Sequence, residues 1–278
     1  GDVYKRQGIC FDAYTSAASP SPVDIQNNNI SHNTIYSNTY YGIYFSASTS
    51  SAGSGYSVII QNNNVSSNII YSNGWDGIYF YAYFGSVAEP YIQGNDIYNN
   101  TIYYNGRNGV YFNSPYYYSY IQFNNISYTL IYSNQQNGTL FYMPYGYAQN
   151  NIISNSSVYN NSYGVYLSVW DRPEGNTIHY SNIYNNTNYG AYIYYNYHIT
   201  QYSFNATYNW WGNASGPYAK NTNPAGTGNA VGDNYNTYSD HVIFEPWLTS
   251  FWTGEDTTPP TSSVNSITPY WQISTPIT

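Results

Sequence analysis

The pattern N-x-I, four residues, I-Y-x-N, a short gap, then G-x-Y-x recurs six times and restricts this chain to a repeat architecture. Its first copy runs from Asn28 to Asn38 and closes with Gly42-Ile43-Tyr44-Phe45. The first template Asn is Asn28, Asn63, Asn95, Asn124, Asn151 and Asn176; the second is Asn38, Asn73, Asn105, Asn134, Asn161 and Asn186. Spacers vary in length, yet these two positions stay Asn throughout. In the fifth copy one residue is missing ahead of the glycine, Gly164.

Each repeat carries three apolar patches rich in Ile, Val, Tyr and Phe, too short for helices and typical of strands. The expected fold is all-β: a right-handed, single-stranded parallel β-helix, with three strands per coil and a C-terminal cap. Each strand then meets its own copy in the next coil, so a template position becomes a column rising about 4.8 Å per coil. Template Asn becomes a ladder whose amides hydrogen-bond along the stack, and Asn also tolerates the left-handed backbone of tight bends. Glycine ahead of the third strand suits a turn with positive φ. Right-handed winding follows from the crossover preference of parallel strands. Alternation turns Ile43 and Phe45, Ile78 and Phe80, Val110 and Phe112, and Val165 and Leu167 inward. Tyr44, Tyr79, Tyr111, Tyr166 and Tyr192 form one outward column; Tyr36, Tyr71, Tyr103, Tyr132, Tyr159 and Tyr184 form another.

Charged residues are only 6%, so Asn, Ser, Thr and the 41 tyrosines must keep the surface wet. Five Lys and Arg against a net charge of -8 lack the basic footprint of a nucleic-acid binder. One cysteine, Cys10, excludes an intrachain disulfide, and no apolar run reaches the length of a spanning helix.

Residues 1–7 resemble neither repeat nor cap and read as adapter residues. Gly8-Ile9-Cys10-Phe11 matches a closing strand, with Cys10 in the place of Tyr44. Coils are expected over 8–200 and a cap over 201–256, with Trp210, Trp211 and Trp247 covering the open end. Residues 257–278 read as a Pro/Thr linker and the start of a truncated Ig-like domain.

The repeats resemble the right-handed parallel β-helix repeat family, with NosD-like surface proteins of archaea and bacteria as relatives. The run Asn209-Trp210-Trp211-Gly212, Ser215-Gly216-Pro217 and Pro246-Trp247-Leu248 is similar to the cap of many such proteins. The resemblance implies the fold and an extracellular or cell-surface setting. It leaves the activity open, because the family includes lyases, epimerases, adhesins and surface-layer proteins. Copper-site maturation has no Cys, Met or His cluster to support it here.

Two functions are expected from the residues. The first is a structural or adhesive module, binding a glycan through aromatic loops or packing against neighbouring surface proteins. Its candidate stacking residues are Tyr81, Tyr83, Tyr116, Tyr117, Tyr145, Trp170 and Tyr195, which follow the G-x-Y-x strands. The second is a polysaccharide lyase, hydrolase or epimerase. Its candidates are Asp76 and Arg107, one coil apart and expected as an exposed ion pair, and the loop group Asp171, Arg172 and Glu174. No metal is assigned. His32, His179, His198 and His241 lack a ligand-like spacing, and Asp233, Asp240 and Glu245 are the residues through which the cap could take Ca²⁺. Asn29, Asn64 and Asn125 are N-x-S/T sequons in one column, a possible row of glycans.

Overall fold

The computed structural model describes residues 7–16, 22–50, 57–84, 89–170, 173–196, 203–234 and 241–254. Their strands form four stacked sheets in which every strand-to-strand ladder is parallel. We label the sheets A to D. Sheet A holds eight strands from Gln7–Thr15 to Val231–Asp233, and includes the G-x-Y-x strands. Sheet B has five, from Val23–Gln26 to Tyr147–Gln149; sheet C has eight, from Asn29–Ser31 to Val242–Ile243; sheet D has six, from Thr34–Tyr36 to Asn182–Tyr184. One coil thus runs B, C, D, A.

The sequence predicts three strands per coil; the structure adds the strand of sheet B, immediately ahead of the first ladder Asn. It escapes the template because little recurs in it beyond a closing Gln and one inward side chain: Ile25, Ile60, Ile92, Ile121 and finally Ala148.

Three corners per coil use one device, a residue at left-handed φ followed by a ladder residue. In the second full coil these bends are Asn62 (φ 53°), Ser67 (56°) and Ser72 (53°), ahead of Asn63, Asn68 and Asn73. The left-handed backbone therefore falls on the residue before the ladder Asn, not on that Asn itself. Freed from that role, the ladder Asn is fully engaged in hydrogen bonding. Asn95 Nδ2 donates to Asn124 Oδ1 at 2.9 Å and to the Ile60 carbonyl at 3.1 Å. Asn95 Oδ1 accepts from the backbone N–H (3.1 Å) and Nδ2 (2.9 Å) of Asn63. The same bonds run from Asn28 to Asn176 and from Asn38 to Asn186, where Asn229 of the terminal segment extends the second ladder (2.8 Å). A third ladder, missed in the sequence, starts at Asn33, Asn68 and Asn100 and passes through Thr129, Ser156 and Ser181 to Asn209. Its drift from amide to hydroxyl hides it from pattern matching.

The template glycines are needed for space, not for φ: none of them lies at positive φ. A Cβ on Gly109 would meet Ile131 Cγ2 at 2.4 Å and the Gly138 oxygen at 2.7 Å. Inside the rod, Phe11, Phe45, Phe80, Phe112 and Phe141 stack at centroid separations of 4.7–5.1 Å, close to the strand spacing. Columns of Ile and Val from the other sheets complete a continuous core.

At the C-terminal end, fully buried Trp211 lies against Gly190. Trp210 bridges to Asn182 and extends the tyrosine column of sheet D past Tyr184. Trp247 packs over Gly216 and donates its Nε1–H to the Ala214 carbonyl at 3.1 Å.

Candidate functional site

Aromatic residues on the outer face of sheet A and in the loops beyond it form one connected path. Tyr81 lies 6.1 Å from Tyr83, Tyr83 5.9 Å from Tyr116, and Tyr116 6.0 Å from Tyr117. The path continues to Tyr145 (4.6 Å) and Trp170 (5.7 Å), crossing from the second full coil to the fifth. Strand alternation places its first members: in Ile78–Phe84 the residues Phe80, Ala82 and Phe84 are buried, so Tyr81 and Tyr83 project outward. The Tyr83–Tyr116 and Tyr116–Tyr117 contacts are edge-on, at 77° and 83°, and Tyr117 is 55% exposed.

Of the seven aromatic candidates, Tyr195 does not belong. It is 1% exposed, because the strand Tyr189–Tyr195 extends far enough for alternation to turn it into the core, edge-on to His241 at 5.1 Å.

Toward the N-terminal coils the path joins a cluster that adds Tyr41 and Trp75, which sequence reasoning left out, to Tyr44 and Tyr79 of the expected column. Tyr79 connects Tyr81 to Tyr44 (5.9 and 5.4 Å), Tyr44 meets Tyr41 (4.7 Å), and Tyr41 meets Trp75 edge-on (5.3 Å). The available signal was a Tyr or Trp just ahead of the template glycine in successive coils. The expected column Tyr44, Tyr79, Tyr111, Tyr166, Tyr192 is split at Leu140 of the fourth coil, which pairs with both Tyr111 and Tyr166.

Asp76 and Arg107 sit beside this cluster, but not as an exposed ion pair. The Arg107 guanidinium lies over the Trp75 ring, 4.1 Å from its centroid. Asp76 is 1% exposed, and its Oδ1 accepts from the Asn108 backbone N–H (2.9 Å) and Nδ2 (2.7 Å). Asn137 repeats both bonds onto Asn108 Oδ1, so Asp76 begins a short fourth ladder, which donates in the opposite sense to the others. Burial pushes the Asp76 carboxyl up to about 6, against a downward pull from the Asn108 hydrogen bonds and from Arg107. Burial, and Asp76 among the neighbouring charges, likewise raises the phenols of Tyr41 and Tyr111.

The remaining candidates are dispersed. Glu174 is exposed in a turn whose carbonyl accepts from Asn150 N–H (2.8 Å); Asp171 and Arg172 lie outside the described residues. Asp233 Oδ2 is taken by His241 Nδ1 at 2.8 Å, Glu245 is exposed, and Asp240 and His198 lie outside the described residues. Among the described residues no three His, Cys, Asp or Glu side chains are grouped to hold a metal. Of the sequon column, Asn64 Nδ2 donates to Asn29 Oδ1 (3.1 Å) and Asn125 Nδ2 to Asp96 Oδ1 (2.8 Å), so both amides are already engaged.

Parallel strands stacked in register, amide ladders at the corners and an aromatic core define a parallel β-solenoid. The chain belongs to the family described as "Right handed beta helix region", which it matches over residues 26–236. No curated protein and no solved structure matches it.

Proposed function

We propose that this protein is a rigid β-helical module of a secreted or cell-surface protein, and that it binds glycan chains along the aromatic path beside sheet A. The observation that carries this is the unbroken run Tyr81–Tyr83–Tyr116–Tyr117–Tyr145–Trp170, whose exposed members Tyr83, Tyr117 and Tyr145 offer aromatic surface on which sugar rings can stack. Among the described residues the cation beside the adjoining cluster is Arg107, whose guanidinium already lies against Trp75, which favours neutral over acidic chains. Carbohydrate cleavage is the weaker alternative. Asp76 has the raised carboxyl pKa of a general acid, but at 1% exposure, tied to Asn108, it is withheld from a bound chain.

The test is affinity electrophoresis through gels containing neutral or acidic polysaccharides. Retardation in neutral gels, lost in a Tyr117→Ala/Tyr145→Ala variant, is the expected result. No retardation in any gel would refute the binding function, and a depolymerised track would replace it with an enzymatic one centred on Asp76 and Arg107.

A further inference from the structure

A second surface, on the outer face of sheet D, has no part in the aromatic path. Its six tyrosines, Tyr36 to Tyr184, stack at 4.7–5.1 Å with near-parallel rings, so faces are spent on neighbours and edges point outward. Over the first four full coils this face and its two corners, residues 32–37, 67–72, 99–104 and 128–133, hold no Asp, Glu, Lys or Arg. Of the eight corner residues here, three depart from the Asn and Ser of the others: His32, Tyr104 and Tyr128. Tyr104 (φ 53°) and Tyr128 (φ 52°) are bulky side chains held at left-handed φ, 60% and 52% exposed. Bulky residues adopt the same backbone at Tyr118, Phe123, Tyr180 and Tyr208, so what Tyr104 and Tyr128 bring to this face is exposed aromatic surface. Leu130 and Ile69 add exposed apolar surface (42% and 44%).

The fifth and sixth coils of the same face are already covered. Trp252 exchanges hydrogen bonds with the Asn182 side chain (2.7 and 2.9 Å), donates Nε1–H to Asn155 Oδ1 (3.2 Å) and packs on Tyr180 (5.2 Å). Among the described residues, this segment stops short of the first four full coils.

We propose that the open part of sheet D is a homodimer interface, and that its occupant is the same face of a second copy, running antiparallel. A surface without charge gives an acidic or basic partner nothing to recognise, and two copies bring no like charges face to face at this contact, although each carries a net charge of -8. A second copy has the same coil spacing by construction. It also has the matching relief. A two-fold axis along the strands, between the second and third full coils, sets Leu130 opposite Thr34 and Ile69 opposite Thr101. The same axis sets Tyr104 opposite Ser72 and Tyr128 opposite His32. Each of these four large side chains then meets a smaller or polar one, while the tyrosine column meets itself edge to edge, Tyr36 opposite Tyr132 and Tyr71 opposite Tyr103, as an isologous contact allows. Four coils by six residues cover about 20 × 20 Å, or about 800 Å² in total from both copies, in the range of weak, reversible association.

Sedimentation equilibrium up to about 1 mM chain, with reductant to keep Cys10 from cross-linking, tests this. The expected weight-average mass climbs toward twice the monomer, and the dissociation constant changes less than about twofold between 0.05 and 1 M salt. Tyr104→Asn/Tyr128→Asn restores a residue type that other coils carry at these corners, so it retains the fold. It is expected to weaken association at least about tenfold, with an unchanged circular dichroism spectrum. A monomer at every concentration, a variant that dimerises like the parent, or a dimer dissolved by salt would each overturn the proposal.

Discussion

Replacing Asp76 with Asn isolates what one buried carboxyl does to this rod. Asn offers the same Oδ1 to the Asn108 N–H groups that Asp76 serves, as Asn108 does for Asn137, so the ladder geometry is retained. What disappears is the charge. In the folded chain the carboxyl titrates at about 6, against 3.8 for an unburied one. Between those values the folded state binds more protons than the unfolded state, so stability falls as pH rises through this window and levels off above it. The gap corresponds to about 3 kcal/mol. Asp76→Asn is therefore expected to stabilise the protein by about 3 kcal/mol at pH 8, a rise of roughly 6–10 °C in Tm, and to be nearly neutral at pH 4. Urea titrations of both proteins across this pH range measure it, and groups common to the two cancel in the difference. A difference independent of pH, or a variant less stable at pH 8, would mean that Arg107 holds the carboxylate ionised and that burial is not the dominant influence.

Three further outcomes follow from the packing. Asn105→Ala strips the acceptor from the Asn73 N–H and Nδ2 and leaves Asn134 Oδ1 with only one of its two donors, the residue-105 backbone N–H; a loss of about 3 kcal/mol in urea unfolding is expected. Gly109→Ala forces a methyl into a space bounded at 2.4 Å by Ile131 and at 2.7 Å by the Gly138 carbonyl, destabilising by about 3 kcal/mol or preventing soluble expression. Tyr117→Ala/Tyr145→Ala, removing side chains 55% and 40% exposed, should change stability by less than about 1 kcal/mol, so its loss of gel retardation is a surface effect.

Much of the rod is legible in the sequence, because stacking makes each coil repeat the demands of the last. Phe45 and Phe80 have to be apolar for the same reason, and Asn63 and Asn95 have to be amides for the same reason. What hides is what repeats in chemistry but not in letters. Sheet B keeps an inward side chain while its neighbours change, and Asn100 passes its role to the hydroxyl of Thr129. Glycine at 109 is readable as obligatory, but φ and crowding both demand glycine, and only coordinates distinguish them. The site is less legible still. Tyr117, Tyr145 and Trp170 stand out as loop aromatics, whereas their continuity with Tyr41 and Trp75 depends on how successive turns align across coils. Asp76 and Arg107 look like partners by charge; a ladder amide claims one and an indole the other.

The ladders also govern which insertions and deletions the gene can tolerate. Successive rungs of the first ladder are 35, 32, 29, 27 and 25 residues apart, and the bonds between them stay at 2.8–2.9 Å. Coil length is thus free while rung identity is fixed. Removing residues 95–123 as a block would place Asn124 where Asn95 had been for Asn63, and Asn137 where Asn108 had been for Asp76. The reading frame of this fold is the coil, and its natural unit of change is a whole turn of the rod.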